Sequence, residues 1–348
     1  MPLFSKGLIL AQHKEPALSR PIVRFVNPAA DNMEIGVRKL AVSSEQEAII
    51  EMARLAGIVD ERDGKPVHEL LSAAMGKAEI VIADAVDDEP YVSSKLAVLL
   101  QYSEEVADGL EICRRVAGCQ KSAILVYKIL GDTQTRIPLT LEGIRVTRVR
   151  SKYPATAAAR LGKFRSRRKL VIGVGALIHL ARAAYKQKVQ SSTFITVAGN
   201  CVTNPMNLEV SLNMTVMQVL ERCGLTEQPT RVVCGGAMTG LSVIDPENTL
   251  VTHTTRAILA IRDNIKDRQY RCIGCGRCEQ VCPAGLNPMY IRRLIGAKHY
   301  KDLAPFDAHM CIACGTCSYV CPSKRRVSYA VNKAKRYALA KEEGGAQD

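Results

Sequence analysis

Tryptophan is absent from the 348 residues, and the aromatic residues together make up only 5%. A core without large rings has to be built from Ala, Val, Ile and Leu, which suits α/β layers packed through small side chains. Long apolar runs are missing too. The longest, Leu170–Ala181, is interrupted by His179 and falls short of the roughly 20 residues that span a bilayer. Met1–Glu15 contains no apolar stretch of the kind a secretory signal needs. A cytoplasmic, reducing setting is therefore expected, in which disulfides are disfavoured. Histidine is scarce, and His13, His68, His179, His253, His299 and His309 show no metal-ligand spacing. His309, two residues before Cys311, reads first as a surface loop residue, with hydrogen bonding to a metal centre at that cysteine as the alternative.

Cysteine, by contrast, is abundant: 13 residues, eight of them between Cys272 and Cys321. The first run is Cys272-Ile-Gly-Cys275-Gly-Arg-Cys278-Glu-Gln-Val-Cys282-Pro283, and the second is Cys311-Ile-Ala-Cys314-Gly-Thr-Cys317-Ser-Tyr-Val-Cys321-Pro322. Both read C-x2-C-x2-C-x3-C-P, the bacterial ferredoxin pattern for [4Fe–4S] clusters. Three thiolates two residues apart wrap one face of a cubane, and the small residues Gly274, Gly276 and Gly315 let backbone N–H groups approach the sulfides. The cysteine before proline ligates the other cluster. One cluster is thus expected on Cys272, Cys275, Cys278 and Cys321, the other on Cys311, Cys314, Cys317 and Cys282. Zinc sites pair two C-x2-C knuckles across a long gap and need neither the third cysteine nor the Cys-Pro, twice over. The remaining thiols, Cys113, Cys119, Cys201, Cys223 and Cys234, lie in largely apolar surroundings and read as buried free cysteines.

Net charge is +14, with basic clusters at 145–152, 163–169 and 324–336. Nucleic-acid binding is disfavoured, because few aromatic stacking residues are interleaved and no binding motif appears. A basic collar beside iron–sulfur clusters steers anionic redox proteins instead, of the flavodoxin, ferredoxin or flavoprotein kind.

Residues 1–45 are broken by Pro2, Pro16, Pro21 and Pro28 and read as a short irregular segment. Ser43-Ser44-Glu45-Gln46-Glu47 is expected to open a helix, with an N-cap serine and acids in the first turn, that runs to about Leu55 and is stopped by Gly57. Strands at 79–83, 122–127 and 144–149 alternate with helices at 93–116, 155–161 and 177–186, an α/β domain over 46–190. Gly173-Val174-Gly175, without a third glycine, reads as a close strand-to-helix turn. Strands at 194–197, 208–212 and 231–234 with a helix at 216–223 give a β-grasp pattern over 191–262. The cluster module follows at 263–326. A basic amphipathic helix opens the tail at 327–348, which ends in a polar stretch from 342 expected to be disordered.

Several segments together resemble the RnfC family, the peripheral iron–sulfur subunits of Rnf electron-transport complexes and relatives such as microcompartment cobalamin reductases. They are Gly7–Glu15, the 84–94 stretch containing Glu89-Pro90-Tyr91, Tyr153-Pro154, the 199–207 stretch and Gly235-Gly236-Ala-Met238-Thr-Gly240. The resemblance implies three parts: a Rossmann-like flavin domain similar to the complex I flavoprotein subunit, a β-grasp SLBB domain and an α+β double-cluster ferredoxin module. It also implies FMN and NADH sites built on a glycine-rich loop after Ala56-Gly57-Ile58-Val59. Here that loop is Asp60-Glu61-Arg62-Asp63-Gly64-Lys65, and its acids repel phosphate. The family Asn-Gly is Asp84-Ala85, and the family Cys is Asp88. The family's N-terminal barrel-like segment is mostly missing.

The sequence therefore points to an electron-transfer protein with two [4Fe–4S] clusters and a dismantled flavin site. It would work with a redox partner or with the subunits of an oxidoreductase complex, in the cytoplasm or a microcompartment, meeting a membrane only through other subunits. The alternatives are an FMN-dependent NADH:acceptor or cobalamin reductase with an altered site, and a ligand-binding adaptor whose clusters are structural.

Overall fold

The computed structural model describes residues 22–27, 33–34, 45–127, 137–149, 153–155, 168–262 and 268–344. They fall into two compact units that divide between Arg262 and Asp263.

The first unit holds two sheets. A short strand, β1 (Val23–Phe25), precedes helices α1 (Gln46–Leu55) and α2 (Val67–Ala74). Strand β2 (Ile80–Ala85) leads to α3 (Ser94–Gln101) and α4 (Ser103–Ala117). Next come β3 (Lys121–Tyr127), β4 (Thr140–Leu141), β5 (Ile144–Val149), β6 (Lys169–Gly173) and α5 (Val174–Lys186). The sheet order is β4-β5-β3-β2-β6, parallel except for the β4–β5 hairpin. A parallel sheet buried on both faces needs near-continuous apolar strands. Ile80-Val-Ile-Ala and Ala123-Ile-Leu-Val meet that need.

The expected helix at 93–116 is two helices. Tyr102, at φ −120° and ψ 40°, breaks the ladder between α3 and α4, and the chain turns there. Helix α4 then packs on α5 through Gly109, where a Cβ would fall 2.3 Å from the Leu177 carbonyl oxygen. Its stop is Gly118 in the left-handed conformation, beyond Arg114 and Arg115 in the last turn. The cap of α1 is Glu45, with no side-chain hydrogen bond. The serines at 43 and 44 and the helix expected at 156–161 lie outside the described residues.

The second sheet comprises β7 (Ser192–Ala198), β8 (Met206–Ser211), β9 (Arg231–Cys234), β10 (Leu241–Val243) and β11 (Ala257–Ile261), with β1 added, in the order β1-β8-β7-β11-β9-β10. Helix α6 (Val216–Cys223) covers one face and starts in a capping box between Thr215 and Gln218. Strand β1 pairs in parallel with β8, so Val23–Phe25 add an edge strand to the β-grasp sheet.

The two sheets of this unit are tied by buried polar contacts. Arg182 of α5 reaches Glu209 of β8 at 2.6 Å and Glu105 of α4 at 3.1 Å. Burial pushes the Glu209 carboxyl up, but Arg182 and the hydrogen bond from Ser192 outweigh it and hold it below the usual carboxylate range.

The second unit contains α7 (Arg277–Gln280), α8 (Pro288–Gly296), two 3-10 turns at Tyr300–Phe306 and Ala308–Met310, α9 (Thr316–Tyr319) and α10 (Val327–Gly344). Its core is small: Leu286, Ile291, Leu303, Ala308, Val327, Val331 and Ala334. Helix α10 supplies three of these residues, Val327, Val331 and Ala334.

Candidate metal centres

The eight cysteines of the second unit form two quartets. Cys272, Cys275, Cys278 and Cys321 line one cavity of about 40 Å3. Cys282, Cys311, Cys314 and Cys317 line another of about 20 Å3. Each Cys-Pro cysteine therefore faces the other run's cavity. The loops curl because Gly274, Gly276, Ala313 and Gly315 all take positive φ (68°, 68°, 58° and 76°). In that turn a backbone N–H points inward, and the Ala313 N–H donates to Cys311 Sγ at 3.4 Å. Ala313 carries a small steric penalty there that glycine would avoid.

Among the described residues, no three Cys, His, Asp or Glu converge as closely as a single metal ion needs. Each quartet lines a cavity of its own, and its C-x2-C-x2-C-x3-C-P spacing is the one expected for a [4Fe–4S] cluster. Burial and the neighbouring cysteines push several thiols up, Cys317 to about 12. Thiols crowded together in this way shed their protons when a cationic centre binds. His309 lies half-buried in the turn before Cys311.

The surroundings of the quartets differ. Arg277, Arg292, Arg293 and Arg325 line the Cys272 cavity. No charged residue lines the Cys311 cavity. The nearest identified cation there is Lys335, whose Nζ donates to the Cys311 carbonyl at 2.6 Å.

A second place of interest lies in the first unit, where β6 runs directly into α5. An exposed helix N-terminus preceded by glycines is a seat for an anion. Here the seat is filled from within. The Glu61 carboxylate accepts hydrogen bonds from Gly175 N–H and Ala176 N–H, both at 3.0 Å. A Cβ on Gly173 would stand 2.1 Å from Glu61 Oε1, so that glycine makes room for Glu61. Asp60 grips the Arg62 guanidinium and accepts from the Arg62 and Gly173 N–H groups. The space left beside Glu61, Lys95, His179, Phe194 and Arg256 is about 10 Å3, room for one water. Burial and the adjacent Asp60 push the Glu61 carboxyl up to about 7, with Lys95 pulling the other way.

The other altered family positions are also satisfied internally. Asp84 pairs with the buried Lys95 at 3.3 Å, and Asp88 accepts from the Ala155 N–H at 2.7 Å. Glu89 accepts from the Met238 N–H at 2.9 Å and from the Thr239 hydroxyl. A Cβ on Gly236 would overlap that carboxylate. Glu89 thus clamps the Gly235–Gly240 loop, a link across 149 residues whose only trace in the sequence is the paired glycines at 235 and 236. These residues do not fit a flavin phosphate. Cys113, Cys119, Cys201 and Cys223 are buried and Cys234 partly so, and none joins a metal-ligand group among the described residues.

Comparison with known proteins fits this geometry. Residues 271–325 match the 4Fe-4S dicluster domain, and residues 194–242 match the SLBB domain. The C-type subunit of the ion-translocating oxidoreductase complex of Rhodobacter capsulatus is 27% identical over 62% of this chain and 45% of its own length. Its counterpart in the Vibrio cholerae complex is 27% identical over 71% of this chain and 34% of its own. The chain is RnfC-like. The C-type subunit of the Na+-translocating ferredoxin:NAD+ oxidoreductase complex of Acetobacterium woodii is 25% identical over 82% of this chain and 70% of its own length. This RnfC-like chain thus spans less than half the length of the first two relatives. A crystal structure of an NAD+-reducing [NiFe]-hydrogenase superposes on 85% of the chain and 61% of its own, with a TM-score of 0.52 and 13% identity. The chain shares its fold with that structure in its complex I flavoprotein-like α/β domain, and it carries in addition an SLBB domain and a dicluster module with eight cysteines spaced for two clusters.

Proposed function

We propose that this RnfC-like chain is an electron relay that has lost the flavin step. The Cys272, Cys275, Cys278 and Cys321 thiolates hold one [4Fe–4S] cluster, and the Cys311, Cys314, Cys317 and Cys282 thiolates hold the other. Each cluster supplies reversible one-electron storage. Every transfer moves a single electron. An external flavin or iron–sulfur centre is oxidised as the module is reduced, and the reverse holds at the exit; no bond is made or broken. The chain's own residues wrap the clusters, keep water off the inner thiolates and present a basic face to a partner.

The observation that carries this reading is Glu61. Its carboxylate already takes the two backbone N–H groups at the start of α5 that a nucleotide or flavin phosphate would use. The relatives named above are subunits of ion-translocating and ferredoxin:NAD+ oxidoreductase complexes. By analogy, this chain serves as a peripheral member or accessory of such a complex. No helix among the described residues is long and apolar enough to cross a membrane, so other subunits would provide the attachment.

The test is reduction of the anaerobically purified full chain by a low-potential one-electron donor, followed by mixing with a one-electron acceptor. Reversible reduction and reoxidation of two clusters per chain is expected. Clusters that cannot be reduced within the range of biological donors would sink the relay and leave a structural role.

A further inference from the structure

The two quartets are built alike and set in unlike electrostatic surroundings. Four arginines line the Cys272 cavity and none lines the Cys311 cavity. They divide into two pairs. Arg292 and Arg325 are half-buried. Arg292 interacts electrostatically with Cys272 and Cys321. Arg325 donates from one Nη to the Tyr270 carbonyl at 2.8 Å, while its Nε is buried with no acceptor among the described residues. A buried donor without an acceptor is costly unless a ligand accepts its hydrogen bond, and here it belongs to a residue lining the thiolate cavity. Arg277 and Arg293 are exposed and extend the positive charge outward. The one carboxylate of the first run, Glu279, does not line the cavity.

Access follows the same asymmetry. Cys272 and Cys275 are exposed, and Ile273 between them is 70% exposed, whereas all four cysteines of the other quartet are at most partly exposed. Reduction adds negative charge to a cluster. Nearby guanidinium groups and water both stabilise that charge and raise the potential. No charged residue lines the second quartet's cavity, and the Lys335 ammonium beside it is engaged by a backbone carbonyl.

We propose that the Cys272 quartet is the port of the module. It is the higher-potential of the two centres, made so by Arg292 and Arg325, and it is the place where an acidic one-electron carrier protein docks on Arg277 and Arg293 around the exposed Ile273. The occupant is an acidic protein because the rim offers charge for one and an apolar tip for contact. This polarity rests on the relay reading given above, and it fixes which end of the relay faces the partner.

The experiment uses the full chain with both clusters loaded, checked by iron and acid-labile sulfide per chain. In an EPR-monitored redox titration, R292Q and R325Q are expected to lower the higher midpoint and leave the lower one in place. R292K, which keeps the charge, is expected to restore it. In stopped-flow mixing with a reduced plant-type ferredoxin as the acidic donor, the wild-type rate is expected to fall with ionic strength. R277E with R293E is expected to slow it about tenfold and flatten the salt dependence. K77E with K121E, a reversal of the same size at exposed lysines of the other unit that lie outside the basic clusters, is expected to leave it unchanged. A shift confined to the lower midpoint, equal shifts of both or no shift overturns the assignment of potentials. A ferredoxin rate indifferent to R277E and R293E overturns the docking site. A wild-type chain that loads no clusters defeats the relay reading itself, a result distinct from either of these.

Discussion

The Glu61 carboxylate accepts the N–H of Gly175 at 3.0 Å, across 114 residues of sequence. With the matching bond from Ala176 it ends the α5 N-terminus in the way a bound phosphate ends a nucleotide-binding helix. The glycines at 173 and 175 persist in this chain as the space a side chain occupies. Under the relay reading proposed above, a loop that in the resembled family admits a ligand serves here as a plug made of the protein itself.

Removing the plug should therefore cost stability before it gains anything. Glu61→Ala leaves two inward N–H groups without a partner and a gap beside Gly173. A loss of about 1–3 kcal/mol is expected in equilibrium unfolding of the first unit. Glu61→Gln, which keeps one acceptor, should lose less. If Glu61→Ala matched the wild type, the two hydrogen bonds would be dispensable.

The same residue gives a pH signature. Glu61 is raised to about 7 and Asp87 to about 6, in both cases chiefly by burial. A carboxyl raised on folding contributes stability that is fully present below its unfolded value, about 4 for either residue. That contribution is lost as pH rises through the folded value. The melting temperature is expected to decline as pH rises from about 4 to about 7. Glu61→Gln should flatten that slope, and Asp63→Asn should not. A melting temperature that climbs across this window in the wild type and is unmoved by Glu61→Gln would contradict it.

Arg182 joins the two sheets of the first unit through the fully buried Glu209. Arg182→Ala strands part of that negative charge, with Arg24 and Ser192 left as partners. A loss on the order of 3 kcal/mol is expected from denaturant unfolding. Arg182→Ala with Glu209→Gln should recover part of it.

The small core of the second unit makes its folding depend on its metal. Removing iron with a chelator is expected to release amide protection in α8 and α10 while α4 and α5 keep theirs, read by hydrogen exchange. Because each Cys-Pro cysteine faces the opposite cavity, Cys282→Ala should damage the cluster of the second run and Cys321→Ala that of the first. Damage confined to each cysteine's own run would refute the crossed ligation.

Much of this was readable from residue order. The parallel strands announced themselves as apolar runs, and the cysteine spacing pointed to both quartets. Of the four arginines at the Cys272 quartet only Arg325 lies in a basic cluster visible in the sequence; Arg277, Arg292 and Arg293 fall outside those clusters, and Arg292 and Arg325, far apart in sequence, meet only through the fold. The acids after Val59 read as repelling phosphate. That one of them takes the phosphate's place could not be read, since Gly175 lies beyond several intervening strands and helices. The break at Tyr102 was hidden by continuous helical periodicity on both sides. The capture of β1 by β8 was hidden because so short a strand carries no period.

The central claim is that electrons reach these clusters from another protein and not from a flavin in the same chain. It is tested most directly by flavin and iron analysis of the anaerobically purified full chain, followed by addition of NADH and then of a reduced ferredoxin. Iron for two clusters, no flavin, no response to NADH and full reduction by ferredoxin are expected. Stoichiometric FMN with cluster reduction by NADH would contradict the account.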